Sequence, residues 1–428
     1  MREMKDSGIE WIGEIPKDWK LIKIGNIYDE RNIKVSDKDY EPLSVTKNGI
    51  VPQLESAAKS NDNDNRKLIR KNDFVINSRS DRRGSCGISN YDGSCSLINT
   101  VLKPRDHMIN QYYNYVFRSE LFADEFYKWG NGIVNDLWST KWSSMKKIYI
   151  PFPNLTQQQS IANYLDDKCE KIDRMIAKEK EEIEKLNEYK DSLIEITITK
   201  GLNKKVNMVK SELKWIDEIP KDWKKYKLSQ LCSSKKYSMV DGPFGSDMKN
   251  EEYVDEGVPI VQLTNIKKYN HYTEKLKFIT RDKHLQLKRH TALKGDIAIA
   301  KMMPAGRACI LDDLYDEYVV AADAIRFSPN EIKVDKRFVL YCLNTYGMVE
   351  CELESKGTTR IRISLDIARN IKLYLPKLEE QTSIADFLDK KCNEIEKTIK
   401  LKEVKIEKVE AYKKSLIYEC VTGKREVE

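Results

Sequence analysis

The cysteines and histidines, whose side chains most often bind metals or act as nucleophiles, are not spaced for either task. None of the nine cysteines belongs to a CxxC pair, which argues against a zinc ribbon and a thioredoxin-type centre. The four histidines form no HExxH pair, and His284 and His290 are not spaced to share a helix face. We therefore expect reduced, mostly buried thiols and no metal site.

The sequence fingerprints of common enzymes are also missing. The 428 residues contain no GxxxxGK[ST] phosphate loop, no GxSxG elbow and no (N/D)PP(Y/F) tetrapeptide. We expect no catalytic residues and no cofactor bound by this chain. A stand-alone nuclease is an alternative, which incubation of the purified chain with DNA and magnesium would test.

Three segments instead carry hydrogen-bond donors suited to nucleic acid. They are SRSDRRGS (78–85), WGNGIVNDLWSTKWSS (129–144) and SKGTTRIRISL (355–365). Guanidinium groups can pair with guanine or clamp phosphate, amides can bind adenine, and lysine can hold phosphate. The alternatives are surface arginines that pair with Asp81 and tryptophans that anchor a core or a loop. The candidate DNA-binding residues are Arg79, Arg82, Arg83, Asn131, Asn135, Lys141, Lys301, Arg307, Lys356, Thr358, Thr359, Arg360 and Arg362, of which Arg360 and Arg362 are expected on one face of a strand.

The positive charge is concentrated in two regions. Residues 20–150 hold 21 Lys/Arg against 16 Asp/Glu, and residues 224–374 hold 26 against 20, giving +5 and +6. Residues 166–200 between them hold 8 against 11, giving −3. This distribution indicates two separate surfaces for a polyanion with an acidic connection between them.

The elements that must position these surfaces occur twice. WIGEIPKDW (11–19) and WIDEIPKDW (215–223) are identical at eight of nine positions. QQSIANYLD (158–166) and QTSIADFLD (381–389) match at six of nine positions. Repeats this far apart indicate duplication of a whole domain, because solenoid repeats have periods of roughly 20–50 residues. The regions between the repeated ends differ, although 72–88 can be aligned with 295–310.

A long helix is predicted after each middle region. Thr156 is the expected N-cap of the first helix, with Gln159 completing a capping box. Apolar residues spaced by sevens, threes and fours predict a seam between two antiparallel helices. An ordinary solvated helix lying on its own domain is the alternative. The residues of the predicted seam are Ile172, Ile176, Ile183, Leu186, Leu193, Ile395, Ile399, Ile406, Val409 and Leu416.

The predicted fold class is α+β. Two mixed α/β domains, 1–152 and 207–375, are joined by two long antiparallel helices within 153–206 and 376–428, as a pseudo-two-fold internal duplication with a coiled-coil spacer. No apolar run approaches the roughly 18 residues of a membrane span, and the N-terminus has no signal-peptide pattern. We expect a cytoplasmic protein with no membrane partner.

In combination, these features resemble the specificity subunit of type I restriction–modification systems. The resemblance is carried by EIPKDW at 14–19 and 218–223, by the two QxSIAxxLD helix starts, and by GTTRIRIS at 357–364. The first middle region departs from the family pattern, with WGNGIVNDLWSTKW where the second has GTTRIRISL.

The resemblance implies a non-catalytic subunit with two target recognition domains, each binding one half of an asymmetric bipartite site on double-stranded DNA. It also implies two methyltransferase subunits docked on the helices, and restriction subunits bound through the complex. S-adenosylmethionine, ATP and magnesium are then expected in those partners. The competing interpretation is a coiled-coil adaptor with two protein-binding domains, and a fused methyltransferase–nuclease partner also stays open.

Overall fold

The chain forms two compact units in a computed structural model, which describes residues 2–54, 64–132, 138–243, 247–354 and 361–427. Unit 1 comprises residues 1–182 and 401–428, and unit 2 comprises residues 183–400. Each unit has a globular mixed α/β part. Each also contains part of both long helices, because the division falls within them.

Two of the described helices are far longer than the others. Where the short helices have side-chain caps, these come from hydroxyl or carboxylate groups, as when Ser119 accepts from Phe122 N–H and Ser364 accepts from Ile367 N–H. The α-helices are α1 (Asn110–Arg118), α2 (Glu120–Lys128), α3 (Trp142–Met145), α4 (Leu155–Lys200), α5 (Arg281–Gln286), α6 (Lys336–Cys342), α7 (Met348–Glu354), α8 (Leu365–Asn370) and α9 (Leu378–Val421).

The strands of unit 1 are short and pair almost entirely antiparallel. They are β1 (Met4–Asp6), β2 (Glu14–Pro16), β3 (Lys20–Lys23), β4 (Tyr28–Glu30), β5 (Lys34–Val35), β6 (Leu43–Thr46), β7 (Gly49–Pro52), β8 (Arg66–Ile69), β9 (Phe74–Asn77), β10 (Cys86–Ile88), β11 (Gly93–Cys95), β12 (Asn99–Pro104) and β13 (Tyr149–Phe152).

Unit 2 adds a larger sheet of order β18-β20-β19-β24-β21, in which β19 and β24 are parallel. Its strands are β14 (Met208–Lys210), β15 (Glu218–Pro220), β16 (Lys224–Lys227), β17 (Met239–Asp241), β18 (Tyr253–Val254), β19 (Val258–Val261), β20 (Lys277–Ile279), β21 (Thr291–Leu293), β22 (Ile297–Ala300), β23 (Ala308–Ile310), β24 (Glu317–Val320), β25 (Ala324–Phe327) and β26 (Lys372–Leu375).

Each unit contains a four-stranded antiparallel sheet of the same order. The order is β10-β9-β12-β4 in unit 1 and β23-β22-β25-β17 in unit 2. The hairpins β9–β10 and β22–β23 are the segments 72–88 and 295–310 that the sequence alignment paired. The two middle regions are therefore built on one fold despite their different sequences.

The repeated segments 11–19 and 215–223, each of which we call a box, lie where the two ends of each domain meet. The strand after the box pairs with the strand before the long helix, as β3 with β13 and β16 with β26. The tryptophan that ends each box, Trp19 or Trp223, is buried, and its backbone N–H donates to the carbonyl of the box proline at 3.0 Å in both copies. The need to close each domain accounts for the identity of these ends.

A buried glutamine joins the start of each long helix to its domain. The Gln158 amide donates to Pro153 O (2.8 Å), and its Oε1 accepts from Ile109 N–H (2.8 Å). The Gln381 amide donates to Pro376 O (2.9 Å), and its Oε1 accepts from the N–H of Asp335 (3.0 Å). Both glutamines are almost fully buried, so their identity in the repeat has a structural cause.

The predicted N-cap of the first long helix is wrong. The helix begins at Leu155, and Asn154 Oδ1 accepts from Gln157 N–H (2.9 Å) while Gln157 Oε1 accepts from Asn154 N–H (3.2 Å). These reciprocal bonds form a capping box around Asn154. Thr156 is instead the second residue of the helix.

The two long helices run antiparallel within each unit, as predicted. In unit 1, Asp173 pairs with Lys413 and Glu179 with Lys402, so rising numbers in α4 meet falling numbers in α9. The Lys190–Glu396 pair lies in unit 2. The predicted seam residues are all buried or half-buried: Ile172, Ile176, Ile183, Leu186, Leu193, Ile395, Ile399, Ile406, Val409 and Leu416.

All nine cysteines are free, and all but Cys232 are buried. Burial raises the pKa of the Cys86 thiol to about 12, which makes it unreactive near neutral pH. In the described ranges, no cluster of His, Cys, Asp or Glu could hold a metal ion. None of the helices in these ranges contains an apolar stretch of the length that a membrane span needs.

Candidate nucleic-acid interface

Two loops meet in each unit. The first, which we call the hairpin loop, is 78–85 in unit 1 and 301–307 in unit 2. The second, which we call the prehelix loop, comprises the described residues 129–132 and 138–141 before α3 and 361–364 before α8. Thr140 N–H donates to Ser78 O and Ile363 N–H donates to Lys301 O, each at 2.9 Å.

These two hydrogen bonds occupy the same place in the duplication. The shift in numbering that takes 158 to 381 in the helix repeat also takes 78 to 301 and 140 to 363. We call two positions equivalent when this shift relates them. The contact between the hairpin loop and the prehelix loop is therefore made by equivalent residues in the two units.

This correspondence includes the segment in which the first middle region departs from the family pattern. The described parts of WGNGIVNDLWSTKW and GTTRIRISL occupy corresponding places, although the two sequences differ. Arg362 is in the prehelix loop of unit 2, and residues 361–364 form no strand, so the strand expected there is not observed. Asn135, Lys356, Thr358, Thr359 and Arg360 lie outside the described residues.

In unit 1 the loops enclose a basic cleft of about 600 Å³. It brings together Arg79 of the hairpin loop and Lys141 of the prehelix loop, with Lys67 and Lys146 beside them and Glu30 as the carboxylate of the lining. Hydroxyl groups complete it, from Ser78, Thr100, Ser139 and Ser143. Cations and hydroxyls at one cleft match the donors that proteins use on phosphate and sugar.

A second cleft of about 460 Å³ adjoins the first and shares Ser139, Lys141 and Ser143 with it. Asn131 lines this second cleft. Three of the predicted residues of unit 1, Arg79, Asn131 and Lys141, therefore line two adjoining clefts. Trp138 also contributes, and its Nε1–H donates to Tyr127 O (2.8 Å). Gly130 permits this approach, because a Cβ there would lie 2.4 Å from Trp138 Nε1.

The other two arginines of the hairpin loop lie outside this cleft lining. Arg82 is exposed and lies 3.6 Å from Asp81. Arg83 forms an ion pair with Asp124 and donates to Glu120 O (3.4 Å). The pairing of surface arginines with Asp81 that the sequence left open is therefore present for Arg82.

The cations of unit 2 are held differently. Lys301 is 8% exposed, and its Nζ lies 3.3 Å from Asp241 Oδ2. Arg362 is exposed and pairs with Asp323 at 2.7 Å. The Arg307 guanidinium donates to Leu263 O (3.0 Å), and burial lowers its pKa. Lys301 and Arg307 thus support the loop in this structure, whereas Arg362 faces solvent.

Two cleft residues, Lys67 and Lys146, were not among the predicted residues. Lys67 is buried on β8, where its Nζ donates to Asn99 O (2.9 Å) and lies 3.4 Å from Glu30. Lys146 immediately follows α3 and is exposed. Residue type and spacing singled out neither lysine, and only the folded positions of β8 and α3 bring them to the cleft.

The chain is similar to known proteins over nearly its whole length. The sequence profile of the family described as "Type I restriction modification DNA specificity domain" matches residues 16–185 and 220–406. The type I restriction enzyme MjaVIII specificity subunit of Methanocaldococcus jannaschii is 26% identical, with 96% of this chain and 93% of that protein covered.

Two solved structures share the fold. A chain described under "Structural basis underlying complex assembly and conformational transition of the type I R-M system" gives a TM-score of 0.71 at 14% identity, covering 96% of this chain and 99% of the other. The HsdS subunit from Thermoanaerobacter tengcongensis gives 0.53 at 14% identity, covering 96% and 98%.

Proposed function

We propose that this chain, which belongs to the family of type I restriction modification DNA specificity domains, binds an asymmetric two-part site on double-stranded DNA. Each target recognition domain would bind one half of the site. The proposed domains are residues 1–152 and 207–375, with the helices of 153–206 and 376–428 setting the distance between them.

One observation supports the asymmetry of the site above all others. The same pair of loops is present in both units, but the side chains they carry are different. Arg79 in the hairpin loop of unit 1 is equivalent to Met302 in unit 2, and Lys141 in the prehelix loop is equivalent to Ser364. A symmetric dimer binds a palindrome, whereas unlike surfaces on one frame favour unlike half-sites.

The basic cleft of unit 1 supports binding to the phosphates of that half-site. Arg79, Lys141 and Lys146 can release counterions from DNA, and the neighbouring hydroxyls can bind phosphate or sugar oxygens. These contacts fix the position of the duplex, and base selection then falls to the side chains that reach the groove edges.

The proposed partners supply the chemistry. Two methyltransferase subunits would carry S-adenosylmethionine and methylate adenine, after flipping the base out of the duplex. Restriction subunits would join through the complex and use ATP and magnesium. This chain would hold the DNA in the cytoplasm while its partners act, as a non-catalytic subunit.

Co-expression with the cognate methyltransferase, followed by mapping of methyladenine across the genome, tests the proposal. We expect a motif of two unlike halves separated by a fixed number of unspecified bases. A palindromic motif, or methylation that does not depend on this chain, would contradict it. Salt-sensitive binding of the assembled complex to DNA would also separate this function from that of a protein-binding adaptor.

A further inference from the structure

Unit 2 does not repeat the basic cleft of unit 1. The positions of Arg79 and Lys141 hold uncharged residues there. Of the cations that the described loops of unit 2 carry, Lys301 and Arg362 are each paired with a carboxylate, at 3.3 and 2.7 Å, and Arg307 is turned inward. Because cations that displace counterions supply much of the affinity for DNA, we looked for a second cationic surface beside these loops.

An insertion distinguishes the edge strand of the four-stranded sheet in unit 2 from its counterpart in unit 1. In unit 1 a single residue separates Tyr28 from Glu30, and both pair with β12. In unit 2 the six residues 233–238 separate Cys232 from Met239, although their two partners on the neighbouring strand and just after it are again two residues apart. Unit 2 therefore carries five additional residues, SSKKY, at this edge.

The insertion gathers two cations around one aromatic ring. Tyr237 is 44% exposed, and Lys236 and Arg289 are exposed as well. Lys236 Nζ lies 5.0 Å from the centre of the Tyr237 ring, and Arg289 Cζ lies 5.3 Å from it. Neither cation has an ion pair among the described residues. The ring attracts both cations, but they repel one another, so a bound anion would stabilise this arrangement.

The inserted loop is held in a defined conformation. The φ angle of Tyr237 is +63°, in the left-handed region that residues other than glycine rarely adopt. Ser238 Oγ donates to Ser233 O (2.7 Å), and Ser328 bonds both ends of the loop through its backbone. Strained residues held by such contacts are found most often at binding sites.

The loop lies next to the hairpin loop of unit 2. His290, which follows Arg289, donates through Nδ1–H to Asp241 O (2.7 Å), and the carboxylate of Asp241 pairs with Lys301 at the start of the hairpin loop. His290 is equivalent to Lys67, which lines the basic cleft of unit 1. Arg289 therefore lies beside the position that supplies a cation to the cleft in the other unit.

We propose that Lys236 and Arg289, held together by the ring of Tyr237, bind phosphates of the DNA half-site that unit 2 recognises. We call these three residues the tyrosine patch. The inference rests on the proposed function and names the phosphate contacts of one half-site. Tyr237 is a positioning residue, because it acts by holding the two cations. The two units then hold the duplex through different elements, a cleft in unit 1 and an inserted loop in unit 2.

Phosphate-ethylation interference on a duplex with the methylated motif tests the proposal, with this chain in complex with its cognate methyltransferase. The wild-type complex should show interference in both halves. Lys236→Ala and Arg289→Ala should each remove interference at phosphates of one half, and Lys141→Ala should remove it in the other half. Each variant should bind about 3–10-fold more weakly and lower the salt slope by about 1, and the mapped motif should stay the same, because phosphate contacts carry no sequence information.

The role of the ring is tested separately. Tyr237→Ala should weaken binding by about 3–10-fold, because the two cations lose the group that holds them. Tyr237→Phe keeps the ring and should bind within about twofold of wild type. The thermal unfolding midpoints of both variants should stay within about 2 °C of wild type, because the ring lies at the surface.

Two further variants complete the design. Lys277→Ala is the matched control, because Lys277 Nζ lies 4.5 Å from the centre of the Tyr253 ring in the same unit, but on β20 of the five-stranded sheet. It should leave the affinity, the salt slope and the interference pattern intact. Deletion of residues 233–237 should give the losses of Lys236→Ala, and unit 1 shows that the sheet edge closes without them.

An unchanged affinity and interference pattern in Lys236→Ala and Arg289→Ala would overturn the inference. Loss of interference in the same half that Lys141→Ala affects would also overturn it, and so would a fall of more than about 5 °C in the unfolding midpoint of both variants, which would assign these residues to stability. A wild-type complex without interference in either half would refute the proposed function, and the inference with it.

Discussion

Lys141 is the cation that both clefts of unit 1 share, and it has no ion pair among the described residues. We predict that Lys141→Ala weakens binding to the cognate duplex by about 3–10-fold at moderate salt. The slope of log affinity against log salt should fall by about 1, because one phosphate contact is lost. Fluorescence anisotropy of the assembled complex over a salt series measures both quantities.

Arg82 is the matched control for this prediction. It is also cationic and exposed, but it lies beside Asp81 and outside the cleft lining. Arg82→Ala should change the affinity by less than twofold and leave the slope intact. Equal slopes for the two variants would contradict the assignment of the cleft as the phosphate-binding surface.

Single residues also show where prediction from sequence ends. Arg79, Asn131 and Lys141 were identified from residue type and spacing, and they do come together. Arg307 was chosen by the same reasoning, yet its guanidinium is turned inward to Leu263 O. Spacing along the chain identifies a candidate loop, but the direction of each side chain depends on packing against segments distant in sequence.

At the scale of elements, the buried glutamines fix each long helix to its domain. We predict that Gln158→Ala destabilises the chain by about 2–4 kcal/mol, because it removes two buried hydrogen bonds and leaves Ile109 N–H and Pro153 O without their partner. Gln381→Ala should have an effect of the same size in unit 2. Urea unfolding of each variant measures the change.

The neighbouring glutamine supplies the control. Gln159 is exposed one residue further along the same helix, and its side chain bonds only Asn163 among the described partners. Gln159→Ala should cost less than about 0.5 kcal/mol. If Gln158→Ala were as mild, its two hydrogen bonds would not be needed to hold the helix.

The middle of the helix pair is held by charge. In unit 1, Glu179 pairs with Lys402 and Lys405, and Glu182 pairs with Lys402. Positions 179 and 402 are equivalent in the duplication, as are 182 and 405. One copy has become acidic and the other basic here, which favours pairing of the two helices of one chain over pairing of like helices from two chains.

This arrangement predicts a dependence on pH. Hydrogen bonds from Lys405 and Lys402 lower the pKa of Glu179 to about 2. Because the folded pKa lies below the unfolded value of about 4.3, the stabilisation is complete above that value and is lost as the pH falls toward 2. Glu179→Gln should therefore lower the unfolding midpoint at pH 6 and have a shrinking effect between pH 4.5 and 2.5. A constant difference across this range would contradict the assignment.

The long helices were the elements best predicted from sequence, because seven-residue spacing needs no tertiary information. Their start was less accurate, since Asn154 and Thr156 are both good capping residues and only the fold decides between them. The strands of the middle regions were predicted in kind but not in order. That two sheets of equal strand order underlie unlike sequences became visible only through the strand pairings.

At the scale of the whole molecule, duplication has conserved the parts that close each domain and changed the parts that face outward in its loops. The box tryptophans and the buried glutamines recur, and so does one interhelical ion pair, as Asp173–Lys413 and Lys190–Glu396. The hairpin and prehelix loops share almost no residues. A chain built in this way can change the specificity of one half without disturbing the other, because the residues that hold each unit together are not those of its loops.

This separation leads to a prediction about the two half-sites. Arg360→Ala, at a position outside the described residues, should relax the sequence requirement at one half of the methylated motif only, whereas Arg79→Ala, which removes a phosphate contact, should lower methylation without changing the sequence requirement of either half. Effects of separate sites are expected to add, since the two loops belong to different units. Methyladenine mapping with each single variant and with the double variant measures this directly. If either single variant relaxed both halves equally, the two loops would not be independent, and the assignment of one half-site to each unit would be wrong.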